Sequence, residues 1–280
     1  MTADRTTPRQ KVDATSPKNL VMSLAKGFQV LHAFTSDEPE LVLAEVARRA
    51  ELDNATTFRL LNTLVMLSYV QRVGDTRRFR LTLKCLDLGF NAIARMDLRG
   101  YARPILRGLV GEVNEAASIG VLEDAEIVYV ERIQAGLTRL GVDVRIGSRV
   151  PIHSTAIGHA ILAFLPRDTQ VRVLKARPRV KLTEATLVDL DALLARLNEV
   201  RARGYAVSDQ ETVPGLRVIA VPILDLDGVP LAGISVAAPA LRIGLTQFVD
   251  LATRPLQAAA AELSRAIQTS GSSVVQMSAR

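Results

Sequence analysis

The stretch that decides the fold runs from Leu43 to Leu81 and reads LAEVARRAELDNATTFRLLNTLVMLSYVQRVGDTRRFRL. Its apolar spacing predicts two short amphipathic helices, residues 43–50 and about 54–67, separated by a break around Leu52. Two strand-like runs follow, on either side of a turn at Gly74. That order is typical of a winged helix-turn-helix, a module that places its second helix in the major groove of DNA.

The second of these helices carries polar side chains of the types that bond phosphates and base edges. The outer face of the helix is predicted to contact DNA through Asn54, Thr56, Thr57, Arg59 and Asn62. The hairpin that follows carries Arg77 and Arg78, which are suited to the phosphate backbone. The alternative is a small helical core with a solvated, arginine-rich hairpin. The succession of helix, helix and basic hairpin favours DNA binding over that alternative.

The composition describes a folded globular protein of about two domains. The chain has 280 residues, 48% of them hydrophobic and 23% charged, with a net charge of +6. Cys85 is the only cysteine, so no intrachain disulfide can form, and a reducing, cytoplasmic location is expected. No apolar run reaches the roughly 18 residues that a membrane span requires, and no membrane partner is expected.

The pattern along the chain predicts five segments. Residues 1–19 are expected to form a disordered tail, residues 20–82 the DNA-binding domain and residues 83–97 a linker helix. Residues 98–270 show a helix, several strands and further helices, which predicts an antiparallel sheet covered by helices, and residues 271–280 form a second tail. We expect the linker helix to pair with a second chain through its apolar face, formed by Leu86, Phe90 and Ile93.

This combination resembles the IclR family of bacterial transcriptional regulators over residues 20–267. Ser23–Leu31 is similar to the opening helix of the family, and Thr56 and Arg59 match its recognition helix. Gly147–Gly158 and Gly204–Pro222 are similar to the two halves of the signature of its effector domain. The resemblance implies an α+β fold with an N-terminal winged helix-turn-helix, a linker helix and a C-terminal effector-binding domain of GAF-like shape. One departure is Ser68, which stands where the family usually has glycine.

Within the family, the chain looks most like the subgroup that controls catabolism of protocatechuate and 4-hydroxybenzoate, the β-ketoadipate pathway. Ser23–Gly27, Arg78–Leu81 and Ile127–Val130 carry this likeness. It implies a regulator that binds a double-stranded DNA operator as a homodimer or a dimer of dimers. The expected effector is a small organic acid of the protocatechuate, 4-hydroxybenzoate or β-ketoadipate class, and no cofactor or metal is expected.

The loop Ser154–Gly158 precedes a predicted helix, whose first N–H groups attract an anion such as a carboxylate. The residues alone favour an ordinary Ser/Thr helix cap, whereas the resemblance implies an effector site. The expected site consists of Ser154, Thr155, Ala156, Ile157, Gly158, Asp209, Val218, Val221 and Ser235. The alternative roles are a turn carboxylate for Asp209 and a backbone hydrogen bond for Ser235. We expect His153 to be buried and His159 to be exposed.

A hydrolase is the main alternative class, because Ser154, His153 and Asp209 resemble the members of a catalytic triad. The sequence has no GxSxG elbow, no GxG, no GxxxxGK[ST] loop and no HExxH pair. One cysteine and three histidines leave little for a zinc site. A signalling module without DNA binding would leave Thr56, Arg59 and the basic hairpin unexplained. The sequence therefore predicts a regulator and no enzyme.

Overall fold

The computed structural model describes residues 20–94, 98–135 and 144–269, with the backbone alone for residues 90–94, 98 and 99. Both expected tails and the side chains of Phe90 and Ile93 lie outside the described residues. The chain forms two compact units, which divide after Gly89. None of the helices in the described ranges is long and apolar enough to cross a membrane.

The N-terminal unit is a winged helix-turn-helix, as the sequence predicts. Its elements are α1 Met22–His32, β1 Glu40–Val42, α2 Leu43–Ala50, α3 Asn54–Met66, β2 Val70–Arg72 and β3 Arg78–Leu81. The three strands are antiparallel in the order β1-β3-β2, with Leu41 opposite Phe79. Val46, Leu61 and Phe79 are buried together at its centre. The periodicity does not reveal β1, because three residues are too few to show an alternation.

The start and the end of α3 follow from local chemistry. The Asp53 side chain accepts a hydrogen bond from the Thr56 N–H at 2.8 Å, and this bond lowers the pKa of Asp53. After α3 the chain turns at Ser68, whose φ of 64° lies in the left-handed region. This is the conformation in which glycine is the usual residue, so the departure at Ser68 is accompanied by backbone strain.

The C-terminal unit is a six-stranded sheet with helices on both faces. Its elements, after the helix α4 Cys85–Ala94 in the predicted linker region, are α5 Leu98–Val113, β4 Ala116–Glu123, β5 Glu126–Ile133, β6 Arg149–Pro151, a 3₁₀ turn Ile152–Ser154, α6 Ala156–Leu162, α7 Arg167–Lys175, α8 Leu190–Arg203, β7 Ala206–Asp209, β8 Leu216–Leu224, β9 Pro230–Pro239 and α9 Leu245–Thr269. The sheet is antiparallel throughout, in the order β6-β5-β4-β9-β8-β7. The expected α+β class is confirmed.

Each face of this sheet has its own hydrophobic core. Helices α5 and α9 cover one face, which we call the α9 face, and bury Ile219, Val221 and Ile234. Helix α6, with α8 packed beside it, covers the opposite face, which we call the α6 face. Side chains alternate along a regular strand, so residues an even number of positions apart share a face and residues an odd number apart lie on opposite faces. That alternation decides which of the predicted effector residues can share a site.

Candidate DNA-binding and effector-binding sites

Helix α3 presents most of its predicted DNA-contacting residues at the surface. Asn54 and Arg59 are exposed, and Thr56 and Asn62 are partly exposed. The prediction that Thr57 contacts DNA is wrong, because Thr57 is fully buried and its hydroxyl donates to the Asp53 carbonyl at 2.8 Å. Thr57 begins the i, i+4, i+7 series with the buried Leu61 and Leu64, so the helical period directs it into the core.

Asn62 is tied to the β-hairpin that forms the wing. Arg72 on β2 donates from Nη2 to Asn62 Oδ1 at 3.2 Å, and its guanidinium lies 5.1 Å from the centroid of the Phe79 ring. Arg72 therefore links the recognition helix to the wing. No sequence pattern reveals this contact, because the two residues are ten positions apart in different elements.

The two arginines of the wing have different surroundings. Arg78 Nη1 donates to the Glu40 carbonyl at 2.9 Å and lies 4.0 Å from the Glu45 carboxylate, so Arg78 holds β3 to β1. Arg77 is exposed and makes no ion pair with any residue that the structure describes. Of the two, Arg77 is the better placed to meet a phosphate.

In the C-terminal unit, the loop predicted to bind the acid forms a helix cap. Thr155 Oγ1 accepts the Gly158 N–H at 3.0 Å, which is the alternative that the residues alone favoured. Gly158 is required here, since a Cβ would overlap the carbonyl oxygen of Ile152. Ile157 packs against Gly120 on β4 and Gly233 on β9. A Cβ at either glycine would crowd the Ile157 side chain. The first turn of α6 is thus pressed onto the centre of the sheet.

Two hydroxyl groups bond to the backbone of Ser154. Its carbonyl oxygen accepts from Ser208 Oγ at 3.2 Å and from Thr212 Oγ1 at 2.7 Å. Its own hydroxyl donates to the Pro151 carbonyl at 3.3 Å. Ser208 is therefore the residue of β7 that contacts the α6 loop, and no sequence pattern singles it out.

The prediction that Asp209 belongs to the effector site is also wrong, because Asp209 lies on the α9 face of the sheet. Its neighbour Val207 packs with the α9-face core, and alternation along β7 puts Asp209 on that same face. Asp209 Oδ1 accepts from Arg217 Nε at 2.7 Å, and Arg217 also donates to the carbonyl groups of Ala240 and Ile243. The carboxylate orients Arg217. Asp209 is one residue away from a position on β7 that faces the expected pocket, and a shift of one residue along a strand changes the face.

The prediction that Val221 belongs to the effector site is wrong for the same reason, since Val221 also lies on the α9 face. Val218 packs against the α6-face core, whereas Val221, three residues further along β8, belongs to the α9-face core. An odd separation on a strand puts two side chains on opposite faces. The two valines therefore cannot form one apolar wall, and Val218 alone remains on the face of Ser235.

A polar row crosses the middle of the α6 face. Ser235 on β9 lies opposite Ser118 on β4, and its hydroxyl donates to the Ser118 carbonyl at 3.5 Å. Ser118 in turn lies opposite Arg132 on β5, whose Nη1 donates to Ser118 Oγ at 2.9 Å. Ser235 thus makes the backbone bond foreseen as its alternative role. Arg132 brings a positive charge to the buried hydroxyl of Ser118, and the buried Ser235 lies on the next strand.

A β-bulge explains why Arg132 was missed. Ile119 pairs with Glu131 and Gly120 pairs with Tyr129, so Val130 is an extra residue in β5. Uninterrupted alternation from Tyr129 would have put Glu131 on the α6 face. The extra residue exchanges the faces of Glu131 and Arg132. Arg132 therefore lies on the α6 face, and the buried Glu131 lies on the α9 face. The bulge cannot be seen in the sequence pattern.

The residues of the hydrolase alternative do not bond to one another. His153 Nε2 lies 3.0 Å from the Val180 carbonyl, the Ser154 hydroxyl faces Pro151, and Asp209 binds Arg217. His153 is buried as expected, but His159, expected to be exposed, is fully buried with Nε2 2.7 Å from the His153 carbonyl. Burial lowers the pKa of His159 to about 4, which leaves its ring neutral at neutral pH.

Comparison with known proteins agrees with both units. Residues 23–74 match the IclR helix-turn-helix domain, and residues 90–265 match the C-terminal domain of the bacterial transcriptional regulator IclR. The chain belongs to the IclR family. The hydrolase alternative is therefore excluded, because the families and relatives that match are transcriptional regulators and not enzymes. As in the family, the helix-turn-helix binds DNA and the C-terminal domain holds a small-molecule effector.

Several relatives cover most of the chain. The HTH-type transcriptional regulator KdgR of Escherichia coli is 36% identical over 222 residues, which span 79% of this chain and 84% of that protein. The Pca regulon regulatory protein of Pseudomonas putida is 34% identical over 238 residues, which span 84% of this chain and 81% of that protein. These similar identities do not by themselves choose the subgroup.

Solved structures show the same fold. A transcriptional regulator from Rhodococcus is 34% identical, with a TM-score of 0.80 over 90% of this chain and 100% of that chain. An IclR homologue from Microbacterium hydrocarbonoxydans, solved in complex with 4-hydroxybenzoate, is 25% identical. It has a TM-score of 0.76 over 88% of this chain and 99% of its own.

Proposed function

We propose that this IclR-family regulator responds to an aromatic acid of the protocatechuate or 4-hydroxybenzoate class and controls genes for aromatic-acid catabolism. The observation that carries the proposal is the row Arg132, Ser118 and Ser235 on the α6 face. A guanidinium next to buried hydroxyl groups suits a ligand that has a carboxylate at one end and a hydroxyl at the other. The Pca regulon relative and the homologue bound to 4-hydroxybenzoate support the same class.

The first turn of α6 borders this row. Ile157 packs on Gly120 and Gly233, and each glycine lies two residues along its strand from Ser118 or Ser235. Two residues of a strand span about 7 Å, which is close to the length of a benzoic acid. We therefore place the acid between Arg132, the two serines and the loop Ser154–Gly158. Ser208 and Val218 complete the side of the site towards β7.

For the DNA site we propose that α3 enters the major groove with Asn54, Thr56 and Arg59 towards the bases. Arg72 positions Asn62 and the wing, and Arg77 meets the phosphate backbone. One winged helix reads one half-site, so we propose a homodimer or a dimer of dimers. Leu86, which is exposed on α4, supplies part of the expected contact between two chains.

The effector proposal predicts that Arg132→Gln weakens binding of 4-hydroxybenzoate about 10- to 100-fold, the usual contribution of a charge-assisted hydrogen bond. Ser235→Ala should reduce the preference for 4-hydroxybenzoate over benzoate, because only the former offers a hydroxyl. The measurement is calorimetric titration of the full chain with protocatechuate, 4-hydroxybenzoate, β-ketoadipate and benzoate.

Arg149→Gln is the matched control for this titration. Arg149 lies on the adjacent strand β6, and its guanidinium pairs with the carboxylates of Glu123 and Glu126. Its loss should leave acid binding unchanged. If the wild type binds none of the aromatic acids, the aromatic assignment is wrong. If Arg132→Gln and Arg149→Gln bind the acid equally well, Arg132 is no part of the site.

The wing makes a separate prediction for DNA. Arg77→Ala should weaken binding to all DNA sequences and reduce the slope of log affinity against log salt by about 0.9, the value of one phosphate contact. The measurement is fluorescence anisotropy of labelled duplex at several salt concentrations. Lys175→Ala on α7 removes an equal charge in the C-terminal unit and serves as control. An unaltered slope in Arg77→Ala would show that the wing makes no phosphate contact through Arg77.

A further inference from the structure

The recognition helix exposes a large apolar side chain that its hydrogen-bonding residues do not account for. Phe58 on α3 is 45% exposed, whereas Phe34 and Phe79 of the same unit are buried in its core. Phe28, which is also exposed, lies on α1, outside the helix-turn-helix pair. Phe58 is the fifth residue of α3, so it lies in the N-terminal half, the part of a recognition helix that contacts base edges. Its exposure thus coincides with the part of the unit that meets DNA.

The surroundings of Phe58 indicate what covers it. Asn54 lies one turn before it and Asn62 lies one turn after it, so polar groups border the ring on the helix surface. Arg59 follows directly, is exposed, and forms no ion pair with the residues that the structure describes. A protein surface packed on Phe58 would also bury this charge at a cost, whereas DNA offers it guanine or phosphate acceptors.

In the major groove, the apolar group that a base edge presents is the C5 methyl of thymine, and phenylalanine is a side chain suited to contact it. We propose that Phe58 packs against a thymine methyl in each half-site and thereby selects thymine at that position. The inference rests on the proposed placement of α3 in the major groove. It adds an apolar contribution to specificity beside the hydrogen bonds of Asn54 and Arg59.

The experiment compares thymine with deoxyuridine, which lacks only the methyl group. The full-length wild type first selects its consensus from a pool of random duplexes, and each thymine of that consensus is then replaced singly by deoxyuridine. At one position per half-site, wild-type affinity should fall about fourfold per methyl, the value of one buried methyl group. Phe58→Ala should bind the thymine and deoxyuridine duplexes equally, and Phe58→Leu should keep part of the difference.

Phe28→Ala is the matched control, because Phe28 is 47% exposed on α1, outside the helix-turn-helix pair. It should keep the thymine preference whatever it does to overall affinity. A consensus with no deoxyuridine effect at any position would overturn this inference and leave the groove placement standing. Failure to select any consensus would overturn the groove placement itself. A preference that survives in correctly folded Phe58→Ala would show that another residue reads the methyl.

Discussion

Gly158→Ala should destabilise the C-terminal unit by about 3 kcal/mol, the upper part of the range for overpacked sites. The added methyl would overlap the carbonyl oxygen of Ile152 and crowd the side chains of Ile152 and Thr155. A backbone oxygen cannot rotate away as a flexible side chain can, so the 3₁₀ turn or α6 must shift. That shift would also disturb the cap bond from Gly158 N–H to Thr155 Oγ1. Urea unfolding followed by circular dichroism measures the loss.

Gly111→Ala provides the matched control for this substitution. Gly111 is exposed within α5, and a Cβ there would meet no other atom within 4 Å in the described structure. Because glycine is a poor helix former, Gly111→Ala should stabilise the protein by up to about 1 kcal/mol. The account of Gly158 would be contradicted if both substitutions changed the free energy of unfolding by the same small amount.

The second large effect is expected at the ion pair of Arg196 and Glu211. Glu211 is buried, and both of its oxygens accept from Arg196 Nη1, at 2.6 and 2.7 Å. Arg196→Ala would leave the carboxylate buried without its cation. We expect a loss of about 3 kcal/mol, the low end for broken buried pairs, because the Arg196 side chain is 29% exposed.

This loss should depend on pH in a defined direction. Burial raises the pKa of Glu211 above its usual value, and the charge of Arg196 opposes that rise. A raised pKa means that the folded state holds the proton more tightly than the unfolded chain. The associated stability is therefore present at low pH and lost as pH rises through the folded pKa. Without Arg196 the pKa rises further, so the deficit of Arg196→Ala should shrink as pH falls from about 7 to about 5.

Glu211→Gln tests the cause of the deficit. In the Arg196→Ala background it removes the buried charge, so it should recover most of the lost stability and abolish the pH dependence of the deficit. Unfolding curves of the four proteins at each pH form a double-mutant cycle. A deficit that stays constant between the two pH values, or a double variant as unstable as Arg196→Ala, would show that the carboxylate is not the source.

The sequence predicts the N-terminal unit well because local rules govern it. The i, i+3, i+4 spacing of Leu43, Val46 and Ala47 and the capping residue Asp53 fix the helices without long-range information. At Thr57 two local rules disagree. The polarity of the residue suggests the surface, whereas the helical period places it in the core. A short polar side chain can satisfy its hydroxyl on the preceding turn, so polarity alone does not decide exposure.

The effector site was predicted less well because a sheet converts small errors of register into changes of face. The sequence points to Asp209, but the adjacent Ser208 contacts the α6 loop. Val218 and Val221 are an odd number of positions apart, so they lie on opposite faces. Arg132 could not be found at all, since the bulge at Val130 that turns it to the α6 face depends on the pairing of β4 with β5. His159 is buried and not exposed as expected, because a neutral imidazole that bonds a backbone carbonyl is stable in a core.

We infer that an acid held on the α6 face changes the affinity of α3 for DNA. The most direct test is the operator affinity of the full chain, measured by fluorescence anisotropy with and without saturating 4-hydroxybenzoate. We expect a change of about 5- to 150-fold, the usual range of coupling between two sites. At the acid concentration that just saturates the wild type, Arg132→Gln should show a much smaller change, and its operator affinity without acid should equal that of the wild type. Equal operator affinities in a protein that calorimetry shows to be fully loaded with the acid would contradict the claim.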